Sequence, residues 1–146
     1  VSTSLALQPP AGETLKRWHQ MIAAGDLSRL PELLHPQAVF RSPMAFVPYE
    51  SAAAVNLILN TVVTVFEDFA YHRELASTDG ADVVLEFSAR VGDRQLKGID
   101  MIRFDEAGLI TDFEVMVRPM SGLQALGEEM GRRLAPQLAA LKGRQA

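Results

Sequence analysis

Gly98-Ile99-Asp100-Met101-Ile102-Arg103-Phe104-Asp105-Glu106-Ala107-Gly108-Leu109-Ile110 places apolar stretches on both sides of a polar break. Asp105-Glu106-Ala107-Gly108 is rich in turn formers, so the chain is expected to reverse there. The flanks extend this hairpin to a strand over Gln95–Phe104 and a second over Leu109–Arg118. Upstream, Val83, Leu85, Phe87, Ala89 and Val91 alternate with Val84, Glu86, Ser88 and Arg90. That period of two predicts a half-buried strand, with Gly92-Asp93 turning the chain into the next. Phe69–Ser77, leading into Asp79-Gly80, adds a fourth. The four read as an antiparallel meander with one apolar face.

An apolar sheet face needs cover, and the N-terminal third supplies helical spacing. Leu15, Trp18, Met21 and Ile22 share one face of a first helix, closed at Gly25-Asp26. Asp26 is expected to cap a second helix over Leu27–Leu34, with Pro31 tolerated near its start. His35-Pro36 ends that helix in a turn, and Val39–Ser42 follows as a short strand stopped by Pro43. A third helix starts near Ser51, with Val55, Ile58, Leu59, Val62 and Phe66 inward. Ser121 caps a closing helix that buries Leu123, Leu126, Met130 and Leu134. Residues 1–12, with Pro9, Pro10 and Gly12, read as a flexible leader, and residues 13–146 as one domain. The predicted class is α+β, with N-terminal helices packed on a mostly antiparallel sheet.

The chain has 146 residues, the size of one domain. Its 14 Lys+Arg against 18 Asp+Glu give a net charge of −4. That balance argues against a nucleic-acid surface, which needs a basic patch to meet phosphates. With no cysteine there is no disulfide framework or thiol nucleophile. No segment approaches the ~18 apolar residues of a membrane span, and the leader does not read as a signal peptide. A cytoplasmic protein without membrane association is expected. His19, His35 and His72 fall on different elements without metal-ligand spacing, so neither a metal nor a cofactor is expected.

Three pieces carry a family resemblance: Trp18–Leu27 (WHQMIAAGDL), Ala38–Pro43 (AVFRSP) and Gly98–Ile110. In this order and spacing they resemble the nuclear-transport-factor-2-like superfamily, with its SnoaL-like and ketosteroid-isomerase-like domains. The resemblance implies a cystatin-like cone of curved sheet around an apolar pocket, and a homodimer paired through the outer sheet face. Members include isomerases, cyclases, dehydratases and epoxide hydrolases, and also binding or assembly domains without catalysis. Fold alone does not choose among them.

Asp100 is the leading candidate for chemistry. Alternation puts it on one face with Leu96, Gly98, Ile102 and Phe104, a carboxyl among apolar neighbours. Burial disfavours its charged form and readies it to donate a hydrogen bond or exchange a proton near neutrality. The resemblance places it at the oxyanion-hole aspartate of ketosteroid isomerase. The same pattern implies a general-base aspartate at Ser42 and a hydrogen-bonding tyrosine at Trp18, and this sequence has neither. An epoxide-hydrolase pattern needs an arginine between carboxylates; Glu86 and Arg90 share a face, but the polar one. His19 is a second candidate for proton transfer. His72 reaches either the pocket mouth or the surface.

The expected ligand-binding wall comprises Trp18, Ser42, Phe46, Tyr49, Phe87, Ile102, Phe113, Val115 and Val117. On the last strand Thr111 joins Phe113, Val115 and Val117 facing the cavity, with Ile110, Asp112, Glu114, Met116 and Arg118 opposite. The apolar segment Met44–Tyr49 either closes the pocket mouth or packs on the third helix. Two functions remain open from the residues. One is a pocket protein that binds a small apolar, carbonyl-bearing ligand and performs acid/base chemistry through Asp100. The other is a non-catalytic ligand-binding or dimerising accessory domain.

Overall fold

The computed structural model describes residues 6–145, with side chains as far as Gln137. Pro9 and Pro10 open the first helix, α1, which runs Pro9–Ala24. Proline suits a first helical turn, where its missing N–H has no intrahelical acceptor to lose. The leader expected to reach Gly12 therefore stops at Gln8. That residue is tied down by its backbone and side-chain N–H groups, which donate to the carbonyls of Gly80 and Asp79 at 3.0 and 2.9 Å. Residues 1–5 lie outside the described residues. Gly25, at φ 65°, takes the left-handed conformation that ends α1.

The second predicted helix does not form. Leu27–Leu34 holds only a 3₁₀ turn, Leu30–Leu33, because Pro31 cannot donate to a longer ladder. Asp26 instead accepts the Ser28 N–H at 2.9 Å and stabilises a local turn. Strand β1 then runs Leu34–Arg41 and absorbs His35-Pro36 as extended chain rather than as a turn, the conformation favoured before proline. Ser51 caps α2, Ala52–Val65, its hydroxyl accepting the Ala54 N–H at 3.0 Å. Four strands follow: β2 Glu67–Ala76, β3 Asp82–Val91, β4 Arg94–Phe104 and β5 Ile110–Arg118. Helix α3, Met120–Gln145, closes the fold.

The sheet order is β1-β5-β4-β3-β2. β1 runs parallel to β5, and every other pair is antiparallel. This is an α+β fold with a curved, unclosed sheet. On β4 the inward row Leu96, Gly98, Asp100, Ile102 and Phe104 is buried throughout, as the alternation predicts. Gly98 is required there, since a Cβ would sit 2.6 Å from Phe87 Cζ and closer still to the Met116 carbonyl. The Phe87 ring occupies the space a side chain would fill.

Two irregularities change which residues face inward. Arg103 pairs with Asp112 but Phe104 pairs with Ile110, leaving Thr111 as an extra residue on β5. This bulge reverses the start of the strand. Ile110, expected outside, is fully buried, while Thr111 is half-buried and donates its hydroxyl to the Arg103 carbonyl at 3.3 Å. On β2, Tyr71 pairs with Phe87 and Glu74 with Leu85. His72 and Arg73 together oppose Glu86, so the extra residue turns Glu74 onto the same face as Tyr71.

The helices cover the inner face. Trp18 of α1 meets Phe113 edge-on at 5.3 Å, and Val55, Ile58 and Leu59 of α2 join the same core. The outer face mixes ion pairs, Glu86 with Arg73 and Lys97 and Arg90 with Glu67 and Asp68, with the exposed apolar side chains of Leu75 and Met116. Among the described residues no helix is long and apolar enough to cross a membrane.

Candidate functional site

Between the helices and the sheet lies a cavity of about 790 Å³. Its walls are mainly apolar, and Asp100 is the one carboxylate among the described residues that line it. Leu85 pairs with Asp100 across β3 and β4, and the carboxyl stands on the inward face with only 6% of the residue exposed. Its hydrogen-bond donor is Tyr71, whose hydroxyl reaches Oδ2 at 2.6 Å. The Trp18 indole N–H in turn donates to the Tyr71 oxygen at 3.0 Å. Three elements, α1, β2 and β4, thus contribute one hydrogen-bonded chain.

Burial sets the electrostatics of this chain. It pushes Asp100 from 3.8 up to about 7, against the smaller downward pull of the Tyr71 hydrogen bond. Burial also raises Tyr71 well above its ordinary value, and the neighbouring Asp100 charge adds to it. Tyr71 therefore keeps its proton through the physiological range, while Asp100 exchanges one near neutrality. A carboxyl of this kind can donate to a ligand oxygen or accept from a ligand hydroxyl.

Of the expected pocket residues, Trp18, His19, Ser42, Tyr49, Asp100, Phe113 and Val115 line the cavity. Ser42 is turned toward its own backbone, its hydroxyl accepting the Met44 N–H at 3.0 Å. Four others do not line it. Phe87 stacks on Phe69 at 5.3 Å and is sealed beneath it. Ile102 is packed to 1% exposure in the close-packed end of the sheet, where no space remains. Val117 is half-buried in the smaller cluster around Phe87 and Leu96. Phe46 is 100% exposed. Paired backbone bonds between Phe40 and Tyr49, at 3.0 and 2.9 Å, pinch its loop at the base and leave its tip in solvent.

Sequence reasoning missed Tyr71 and Glu74. Tyr71 shares the inward row with Phe69, a signal present in the alternation of β2. Glu74 hydrogen-bonds His19 Nε2 at 2.6 Å, and only the β2 bulge puts it on the same face as Tyr71, where it remains exposed. His72 points outward to Ser88 Oγ at 2.7 Å. Glu86 and Arg90 stay on the outer face in separate ion pairs. Among the described residues no three His, Asp or Glu side chains gather as a metal site requires.

The SnoaL-like domain family matches residues 15–113. A solved steroid delta-isomerase from Pseudomonas aeruginosa is 74% identical over 93% of this chain and 99% of its own, with a TM-score of 0.90. An uncharacterised bacterial protein with a cystatin-like fold from Silicibacter pomeroyi DSS-3 is 34% identical, over 91% of this chain and 93% of its own, at a TM-score of 0.80. An NTF2-like protein of unknown function from Mesorhizobium loti shares the fold at 16% identity, over 79% of this chain and 100% of its own, at a TM-score of 0.67. No curated protein matches the chain. On the family match, the shared cone and these relatives, the chain belongs to the SnoaL-like domain family of the nuclear-transport-factor-2-like superfamily.

Proposed function

We propose that this protein is an isomerase-type enzyme that encloses an apolar carbonyl compound and polarises its carbonyl through protonated Asp100. The observation that carries the reading is a single buried carboxyl, hydrogen-bonded to Tyr71, on the wall of an otherwise apolar cavity. A cavity of about 790 Å³ suits a ligand the size of a steroid or a comparable polycycle. The 74% identical steroid delta-isomerase supports a steroid ketone as the first compound to try. As charge develops on the ligand oxygen, a preplaced donor on this mainly apolar wall stabilises it more than water would. Tyr71 is committed as a donor to Asp100. It therefore orients the acid, and Trp18 orients Tyr71 in turn.

A second reading, ligand binding without turnover, is favoured by Ser42. At the position where the isomerase resemblance implies a base, its hydroxyl is no proton acceptor at neutral pH. The sole tryptophan, Trp18, lies on the cavity wall, so quenching of intrinsic fluorescence reports occupancy directly. A β,γ-unsaturated steroid ketone is expected to quench it and to be converted to the conjugated enone. Asp100→Asn is expected to lower kcat by roughly 10²–10³-fold, and Asp100→Leu to weaken binding as well. Quenching without conversion would select the second reading. Conversion by Asp100→Leu at the wild-type rate would remove Asp100 from both.

A further inference from the structure

Proton transfer needs an acceptor as well as the donor Asp100, and the cavity wall contains one. We propose that the His19–Glu74 pair is the proton acceptor of this pocket: His19 takes a proton from the carbon beside the ligand carbonyl, and Glu74 holds the imidazole for the task. The proposal rests on the reading of Asp100 given above.

Four observations converge on the pair. His19 lines the cavity one residue after Trp18, on the α1 flank nearest strand β2. Its Nε2 lies 2.6 Å from Glu74 Oε1. With Nε2–H donating to the carboxylate, the ring's lone pair is left on Nδ1. The His19 ring stands edge-on to Tyr71, with centroids 5.2 Å apart and planes at 84°, and the hydroxyl of that tyrosine holds Asp100 at 2.6 Å. Acid and base thus flank one aromatic ring. Finally, Glu74 shares the face of Tyr71, at the exposed rim of the sheet, only because of the β2 bulge at His72-Arg73. Strict alternation would place it on the outer face, opposite Tyr71. The adjacent cation, Arg73, points away and is engaged by Glu86 at 2.7 Å, leaving Glu74 with the histidine. An edge-strand bulge that re-aims one carboxylate onto a cavity histidine is the arrangement of a positioned base.

The step balances without a co-reactant. The Nδ1 lone pair takes the proton from the α-carbon, and the C–H electron pair moves into an enolate whose oxygen accepts a hydrogen bond from protonated Asp100. The imidazolium then returns the proton to the α- or γ-carbon, giving the original ketone or its isomer.

The test follows exchange of the α-protons of a saturated steroid ketone in D₂O by NMR, with binding measured in parallel by calorimetry. The wild-type protein is expected to bind the ketone and exchange its α-protons. His19→Gln is expected to slow exchange by about 10²-fold or more with affinity changed less than about twofold. Glu74→Gln, removing only the positioning carboxylate, should slow exchange by about tenfold with the ketone affinity again unchanged. Wild-type exchange that persists in His19→Gln would overturn the proposal and leave the reading of Asp100 standing, whereas binding without any exchange in the wild type would overturn the proposal and select ligand binding without turnover. Absence of ketone binding would overturn that reading and this proposal together.

Discussion

Glu86 and Asp100 sit one register step apart on neighbouring strands, yet their carboxyls behave as opposites. Glu86 faces outward, where Arg73 and Lys97 reach it at 2.7 and 3.3 Å. The Arg73 hydrogen bonds are the main cause that holds it down at about 2. Asp100 faces inward, where no cation among the described residues pairs with it, and burial pushes it up to about 7. The pleat alone separates the two environments. A carboxylate with cationic partners is an ionised surface group, whereas the same function turned across the sheet becomes a neutral-pH acid.

The largest effect expected from this contrast is in pH-dependent stability. Asp100 binds its proton more tightly when folded. Its contribution is therefore fully present below the unfolded value near 4 and is lost as pH rises through about 7. At about 1.4 kcal/mol per pH unit, the ionised carboxyl costs the folded state on the order of 4 kcal/mol above pH 8. Urea denaturation of Asp100→Asn and wild type at pH 4.5 and pH 8.5 checks this. The variant should gain on the wild type at the higher pH, and an unchanged difference would break the contrast.

The smallest effect belongs to Glu86. Its lowered value means that its contribution is present above the unfolded value near 4.5 and lost as pH falls through about 2. Glu86→Gln should match the wild type closely at pH 2 and differ at pH 7 by less than the Asp100 effect, since its partners Arg73 and Lys97 are solvent-exposed and water screens the attraction. Thermal melts at the two pH values measure it. A loss at pH 7 as large as the Asp100 effect would show that the outer face is more than a solvated surface.

The sheet was legible because β3, β4 and β5 alternate strictly through most of their length, and because Gly92-Asp93 and Asp105–Gly108 mark their turns. Asp100 was legible for the same reason, as the one charged residue in an apolar row. What escaped depends on bulges and on partners distant in sequence. Ile110 and Thr111 exchange faces because an extra residue enters β5, and nothing in the local pattern announces it. Glu74 reaches His19 through the corresponding defect in β2. Tyr71 could be placed inward by period two, but its bond to Asp100 requires the register of three strands. The helix expected over Leu27–Leu34 failed to the local turn at Asp26 and to Pro31. The fate of Phe46 was decided by the Phe40–Tyr49 bridge, which no propensity encodes.

Whether Asp100 is a neutral-pH acid facing the ligand cavity can be read directly, by titrating its side-chain carbon with ¹³C NMR with and without a steroid ketone. A midpoint near 7 is expected in the free protein. The midpoint should rise with ketone bound, because only the protonated carboxyl can donate to a carbonyl oxygen. A midpoint near 4 that ignores the ketone would contradict both.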